Sequence, residues 1–249
     1  MSLAFRHAIV VGASSGIGAE IARQLAAGGC AVALLGRRAE ELEKLRSEIA
    51  ASGRGGAITA VHDVTQYDTV PPLLDRLIKD LGGLDLLVYA AGIMPRIGAD
   101  EWDLDKDRAI IDVNVVGAMA WINPVAERFA RAGGGTIVGI SSVAGDRGRR
   151  GNPAYHASKA ALDTYLEAVR NRVARRGVHI VTAKPGPVDT PMTKGMDKLP
   201  LLVAPDAAAA EILAGAARGH HTVYVPAKWR PIMFVIRHIP SFVFRRLDV

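Results

Sequence analysis

The chain has 249 residues, enough for one α/β domain with a sizeable core, and its 49% hydrophobic and 22% charged content excludes a disordered chain. The net charge of +6 suits an anionic ligand, an anionic membrane surface or nucleic acid; no zinc spacing, basic helix-turn-helix or RNA-binding signature accompanies it, so nucleic acid is set aside. The single cysteine, Cys30, excludes an intrachain disulfide and fits a reducing compartment.

Residues 1–7 lack the pattern of a signal peptide, and no uninterrupted apolar run reaches the ~18 residues that span a bilayer, so a cytoplasmic location is expected. Strands are expected at 8–11, 31–35, 57–61, 84–88, 136–140, 178–183 and 221–225. Helices are expected between them, at 16–28, 38–51, 68–80, 106–131, 154–176 and 205–218. The strand runs are continuously apolar, which means cover on both faces. Strict alternation of strand and helix then predicts a single-domain Rossmann fold over 1–249: a doubly wound, seven-stranded parallel sheet with helices on both faces.

The first strand runs into Gly12-Ala-Ser-Ser-Gly16-Ile-Gly18 and then a helix. Glycines let the backbone turn sharply and a pyrophosphate come close, and the helix start offers free N–H groups and partial positive charge. Gly12, Ser14, Ser15, Gly16, Ile17 and Gly18 are therefore candidate dinucleotide-binding residues. The G-x-x-x-G-x-G spacing resembles that of the short-chain dehydrogenases/reductases, a likeness that implies a nicotinamide cofactor. The second strand ends in Gly36-Arg37-Arg38, with no carboxylate to bind the adenosine ribose of NAD(H). Arg37 offers a planar fork of donors to the 2′-phosphate of NADP(H), and Arg38 is a weaker candidate, so NADP(H) is preferred and NAD(H) stays open.

By the same resemblance, Asp63 and Val64 hold the adenine ring, a loop or capping aspartate being the alternative, and Ala91-Gly92 brings backbone close to the cofactor. Tyr89-Ala90 stands where the family usually has two asparagines, and Val11 where it usually has threonine, so hydrogen bonds usual across the sheet are lost. The segment from Pro185 to Thr190 resembles the family's P-G-x-V-x-T, which implies that Pro185, Gly186, Val188 and Thr190 hold the nicotinamide amide. Residues 191–205 would then form a substrate lid.

Tyr155 and Lys159 lie at i and i+4, one turn apart on one helix face. A phenol of pKa ~10 is a poor base at neutral pH; an adjacent ammonium and a cationic oxidised nicotinamide favour the phenolate. Ser142, at the carboxyl end of the fifth strand, is placed to hydrogen-bond the substrate oxygen, with Ser141 the lesser alternative. Asn114 matches the family's helix asparagine, which implies a water relay from Lys159. Asn114, Ser142, Tyr155 and Lys159 together match the family's catalytic tetrad and, with the glycine loop, make both candidate cofactor and catalytic residues of Tyr155 and Lys159.

Between Ser142 and Tyr155, Arg147, Arg149 and Arg150 offer a phosphate or other anion a binding place, unless the loop is simply solvated. Residues 227–249 are apolar and aromatic, broken by Arg230, Arg237, His238, Arg245, Arg246 and two prolines. Such a segment either lies in a bilayer interface with its arginines at phosphates, or packs on a partner subunit or under the lid. Residues 141–163 and about 224–247 also resemble the reductases acting on decaprenylphosphoryl-2-keto-ribose.

These readings converge on an NADP(H)-dependent oxidoreductase working between a carbonyl and a secondary alcohol, with a small-molecule substrate and no metal. The resemblances imply a keto-sugar on a polyprenyl phosphate, a homodimer or homotetramer, and peripheral contact with the inner face of the membrane. Two alternatives stand beside it: a non-catalytic NADP-binding regulator, and a membrane-surface lipid-binding protein.

Overall fold

The computed structural model describes residues 5–98, 100–197 and 199–247. The expectation for the first four residues, position 198 of the lid stretch and positions 248–249 of the C-terminal segment lie outside the described residues. Strands β1 (His7–Val11), β2 (Ala31–Gly36), β3 (Ala57–Val61), β4 (Leu86–Tyr89), β5 (Gly135–Ile140), β6 (Val178–Pro185) and β7 (Thr222–Val225) form one parallel sheet in the order β3-β2-β1-β4-β5-β6-β7. Alternate residues of these runs point to opposite faces, and both faces are covered. Val10, Leu34 and Val88 face α1 (Gly16–Ala27), α2 (Ala39–Ser52) and α7 (Pro205–Ala217). Ile9, Leu35 and Leu87 face α3 (Val70–Leu81), α5 (Gly117–Ala132) and α6 (Pro153–Val173). Each fully buried leucine or phenylalanine contributes ~1.5–3 kcal/mol, so these two cores hold the sheet.

Several boundaries differ from expectation for local reasons. β4 begins at Leu86, later than 84, and β6 runs on through Lys184 and Pro185, where β7 pairs with it. A 3₁₀ turn, Tyr67–Thr69, leads into α3, whose two prolines lie in the first turn, where a missing N–H costs little. α6 stops at Val173 rather than 176, since Arg176 N–H closes onto the Val173 carbonyl and Gly177, at φ +70°, turns the chain into β6.

The expected helix over 106–131 is three pieces: α4 (Leu104–Ile111), a π turn at Asp112–Val116, and α5. Asp103 starts it by accepting from the Asp105 and Lys106 amides at 2.9 and 3.0 Å. Among the described residues this 29-residue rod is the one helix long and apolar enough to cross a membrane, and half of its most apolar 18-residue window is buried against the fold. The C-terminal segment, for which no secondary structure is expected from the sequence, forms α8 (Trp229–His238) and α9 (Ser241–Phe244). Pro231 falls in the first turn of α8 and Pro240 separates the two helices, so neither breaks an established turn. α8 buries Trp229 and Met233 against Val143.

Candidate active site

A cleft of about 1050 Å³ opens at the carboxyl edge of the sheet, where β1 and β4 lead in opposite directions. Gly12, Ser14, Ser15, Gly16, Ile17, Gly18, Arg37, Arg38, Asp63, Val64, Ala91 and Gly92 line one part of it. Ser142, Tyr155, Lys159, Pro185, Gly186, Val188 and Thr190 line the rest. The glycine loop is tight: a Cβ on Gly12, at φ +95°, would fall 2.5 Å from the Ala91 amide nitrogen, and one on Gly18 would fall 2.2 Å from the Gly12 carbonyl oxygen. Ser15 precedes α1 without capping it by side chain, and no acid occupies the first turn. The helix start therefore keeps its donors and its positive end for a phosphate, and the cradle fits a dinucleotide.

Arg38 folds back over that loop, its Nη2 donating to Ser14 Oγ at 2.9 Å and Ser15 Oγ at 2.7 Å. Arg37 is 65% exposed and lies 3.9 Å from the Asp63 carboxylate. Asp63 accepts from the amide and hydroxyl of Thr65 at 3.0 and 2.8 Å; the backbone bond chiefly holds its carboxyl below the usual range.

The catalytic side chains are placed by capping and by the π turn. Asn152, at φ +51°, caps α6 by accepting from the Tyr155 amide at 3.2 Å and ties the cap to the Pro95 carbonyl at 2.8 Å. Asparagine tolerates that left-handed backbone, and Pro153 at the first helical position fixes the next φ. Tyr155 thus enters the cleft from the first turn, with Lys159 behind it. Lys159 Nζ donates to the Ile140 carbonyl at 2.9 Å and stands 5.7 Å from the centre of the Tyr155 ring. Burial brings its pKa down to about 8, against an upward pull from Asp163. Burial likewise pushes the Tyr155 phenol up, against a downward pull from its hydrogen bond with Ser142. The lowering expected of that phenol calls for a bound oxidised nicotinamide as well as Lys159, whose ammonium here donates to the Ile140 carbonyl.

Asn114, fully buried, grips the loop after β4, accepting from Ile93 N at 2.8 Å and donating to Ile93 O at 3.1 Å and Ser158 Oγ at 3.0 Å. It does not line the cleft itself. A side chain on Gly92 would land 3.3 Å from Asn114 Oδ1 and 3.6 Å from Lys159 Nζ, so this glycine leaves both polar ends open toward it. Ser142 and Ser141 both line the cleft, but Ser141 is the more buried and donates its hydroxyl to the Lys159 carbonyl.

Of the three loop arginines, the structure brings only Arg149 to the cleft. Arg147 is corrected as an anion ligand there: it donates to the Arg237 carbonyl at 3.0 Å and to Ser241 Oγ at 3.3 Å, and covers the Phe244 ring. Its guanidinium is spent on the C-terminal helices. Arg150 is exposed and outside the lining. The lid stretch is anchored where Val188 bridges Val203, and Arg96 donates to the carbonyls of Lys194 and Gly195.

Sequence reasoning missed a buried charge cluster beneath the catalytic helix. Lys184 Nζ lies 2.5 Å from Asp146 Oδ1 and 2.8 Å from Asp163 Oδ2, while Tyr224 donates to Asp146 Oδ2 at 2.9 Å. Burial opposes the Lys184 charge, but Asp163 and Asp146 raise its pKa above the ordinary value; burial pushes Asp163 upward. Two signals were available: a lysine inside a strand covered on both faces needs a partner, and Asp163 is one turn beyond Lys159. Trp229, which also lines the cleft, had no such signal.

A doubly wound sheet, a glycine-lined cleft at its switch point, and a serine, tyrosine and lysine gathered at the same edge define a nicotinamide-dependent oxidoreductase. A family model described as short chain dehydrogenase matches residues 6–199. An uncharacterized oxidoreductase of Mycobacterium tuberculosis is 33% identical over 239 residues, covering 96% of each chain. One from Myxococcus xanthus is 36% identical over 226 residues, covering 90% of this chain and 88% of its own. Among solved structures, a short-chain type dehydrogenase/reductase from Mycobacterium ulcerans superposes with a TM-score of 0.81 at 27% identity, covering 90% and 89%. An actinorhodin polyketide ketoreductase solved with NADPH superposes with a TM-score of 0.80 at 26% identity, covering 89% and 95%. The chain belongs to the short-chain dehydrogenase family and is an NAD(P)-dependent oxidoreductase acting on CH–OH and C=O groups.

Proposed function

We propose that the protein is an NADP(H)-dependent reductase of a ketone on a small molecule, the candidate being a keto-sugar on a polyprenyl phosphate, as for the reductases that its loop and tail resemble. The observation that carries the reading is the convergence of Ser142, Tyr155 and Lys159 on a cleft shared with the glycine loop. A nicotinamide dinucleotide held by the glycine loop and by the segment from Pro185 to Thr190 would supply the hydride for reduction or take it up in oxidation. Ser142 positions the substrate oxygen. The Tyr155 hydroxyl gives that oxygen its proton in reduction and takes it back in oxidation. Lys159 opposes the negative charge left on the phenol, and Asn114 fixes the loop whose backbone faces the cofactor. The 2′-phosphate preference is supported by Arg38 and Arg37 at the end of β2, where an NAD-binding carboxylate is missing. NADPH consumption with a panel of ketones tests the reading: Tyr155→Phe should lower kcat by ~10²–10⁴ while NADPH still binds, and equal rates overturn it.

The tail supports peripheral contact with an anionic bilayer on the cytoplasmic side. Phe234, Val235 and Phe242 are more than 60% exposed, with Leu247 also exposed, and Arg230, Arg245 and Arg246 stand among them. Apolar side chains at the acyl boundary with arginines at the phosphates match that surface. Flotation with vesicles containing phosphatidylglycerol, compared with purely zwitterionic ones, tests it; Phe234→Ser with Phe242→Ser should abolish binding. Association into a homodimer or homotetramer through the same face would instead be lost by those substitutions in sedimentation without vesicles.

A further inference from the structure

We infer that Arg149 receives an oxyanion of the substrate, so that the carbonyl compound handled in this cleft bears a phosphate or a carboxylate. The inference rests on reading the cleft as a carbonyl-reducing site and adds the chemical class of what enters it.

Arg149 lies between Ser142 and Tyr155 in sequence and lines the cleft with both of them and with Trp229. Its Nε is buried and has no hydrogen-bond partner among the described residues. Its Nη2 meets the thioether sulfur of Met233 at 3.7 Å, a weak acceptor. A guanidinium carries five N–H donors and no acceptor, and withdrawing it from water without an anion is expensive. Burial accordingly acts against its charge, which Asp146 only partly supports. Asp146 is the nearby carboxylate, and it is already committed: one oxygen lies 2.5 Å from Lys184 and the other accepts from Tyr224 at 2.9 Å.

A second orphan stands in the same wall. The indole Nε1 of Trp229 is buried, lacks a partner among the described residues, and can only donate. Trp229 and Arg149 both reach the Met233 neighbourhood, where Trp229 packs with Met233 and Val143. The two Nε–H groups, neither with an acceptor among the described residues, and the apolar floor beside them suit one kind of ligand group: a negatively charged oxygen cluster. The low-polarity surroundings strengthen that attraction. The contrast with Arg147 sharpens the assignment, since that side chain is saturated by the carbonyl of Arg237, the hydroxyl of Ser241 and the ring of Phe244.

The test uses two matched ketone pairs, dihydroxyacetone phosphate with dihydroxyacetone and acetoacetate with ethyl acetoacetate. They are assayed with NADPH on the full chain and on Arg149→Met and Arg149→Lys. In at least one pair the anionic member is expected to be favoured by about tenfold or more in kcat/KM. Arg149→Met should bring that ratio to about one, chiefly through KM, and Arg149→Lys should keep part of it, because a point charge survives without the fork. The responding pair distinguishes phosphate from carboxylate. In parallel, binding of inorganic phosphate and of acetate is followed by tryptophan fluorescence with NADP⁺ saturating. One of the two is expected to bind the full chain at least about tenfold tighter than Arg149→Met. This arm is read even when no ketone is turned over, so failure of the enzymatic reading and failure of the anion site give different results. Thermal unfolding of both variants checks that they are folded. An anion-to-neutral ratio unaffected by Arg149→Met, or equal anion binding by the two proteins, overturns the inference.

Discussion

Tyr89, the last residue of β4, donates its phenolic hydroxyl to the carbonyl oxygen of Val113 inside the π turn, at 2.6 Å. A π turn shifts the helical hydrogen-bond register, and the carbonyl of Val113 is capped by this phenol. Gly117 makes room for it: a Cβ there would fall 2.7 Å from the Tyr89 hydroxyl oxygen. Burial pushes the Tyr89 phenol far above its usual range, so it stays a donor at working pH. The residue that replaces the family's asparagine therefore supplies a different tie between the sheet and the rod carrying Asn114.

Tyr89→Phe should keep the fold but leave a buried carbonyl unpaired, at a cost of ~1–3 kcal/mol in urea unfolding. The kcat should fall with it, because Asn114 next to Val113 loses its setting. Unaltered stability and turnover would mean that the Tyr89 hydroxyl is idle.

Lys184→Met removes the cation shared by Asp146 and Asp163 and leaves two buried carboxylates facing each other. Breaking a buried pair from one side typically costs ~3–5 kcal/mol, which chemical denaturation reads directly. Replacing both carboxylates by asparagine in the same chain should recover much of the loss; a single variant as stable as the parent would show that the cluster is hydrated.

The pH dependence of turnover reports on Lys159. Its pKa, brought to about 8 by burial, is held up by Asp163, so the ammonium is present below that value and lost as pH rises through it. Asp163→Asn withdraws the upward pull, and the alkaline fall in kcat/KM should move toward lower pH, with Asp163→Glu restoring it. A variant that only loosens the fold would lower the whole profile with its inflection unmoved.

Arg38→Ala should raise the Kd for NADPH by about tenfold or more, the worth of one charge-assisted hydrogen bond, and change NADH binding much less. Arg37→Ala, starting from an exposed side chain, should have the smaller effect. Equal losses for the two cofactors would remove the 2′-phosphate from the account of this loop.

The sheet is legible in the sequence because strands covered on both faces must read as unbroken apolar runs, as in β1 and β2. The Tyr155–Lys159 spacing is legible because a helix has one period. The π turn is not: nothing in the composition of Asp112–Val116 separates it from ordinary helix. Nor does sequence tell Arg147 from Arg149, since their difference lies in what packs against them, Phe244 in one case and Met233 in the other. The tail's two prolines obscure α8, although one of them occupies a position that helices tolerate.

Gly186 follows β6 without a side chain, and a Cβ there would fall 2.0 Å from the indole nitrogen of Trp229. The tail is thus keyed into the reaction chamber from beyond the span, 6–199, that the family model recognises. Trp229 thus adds a wall to the cleft from a stretch of chain separate from the one that carries Ser142, Tyr155 and Lys159. Grafting residues 226–247 between relatives would be expected to exchange the range of molecules accepted while the proton and hydride machinery stays as it was.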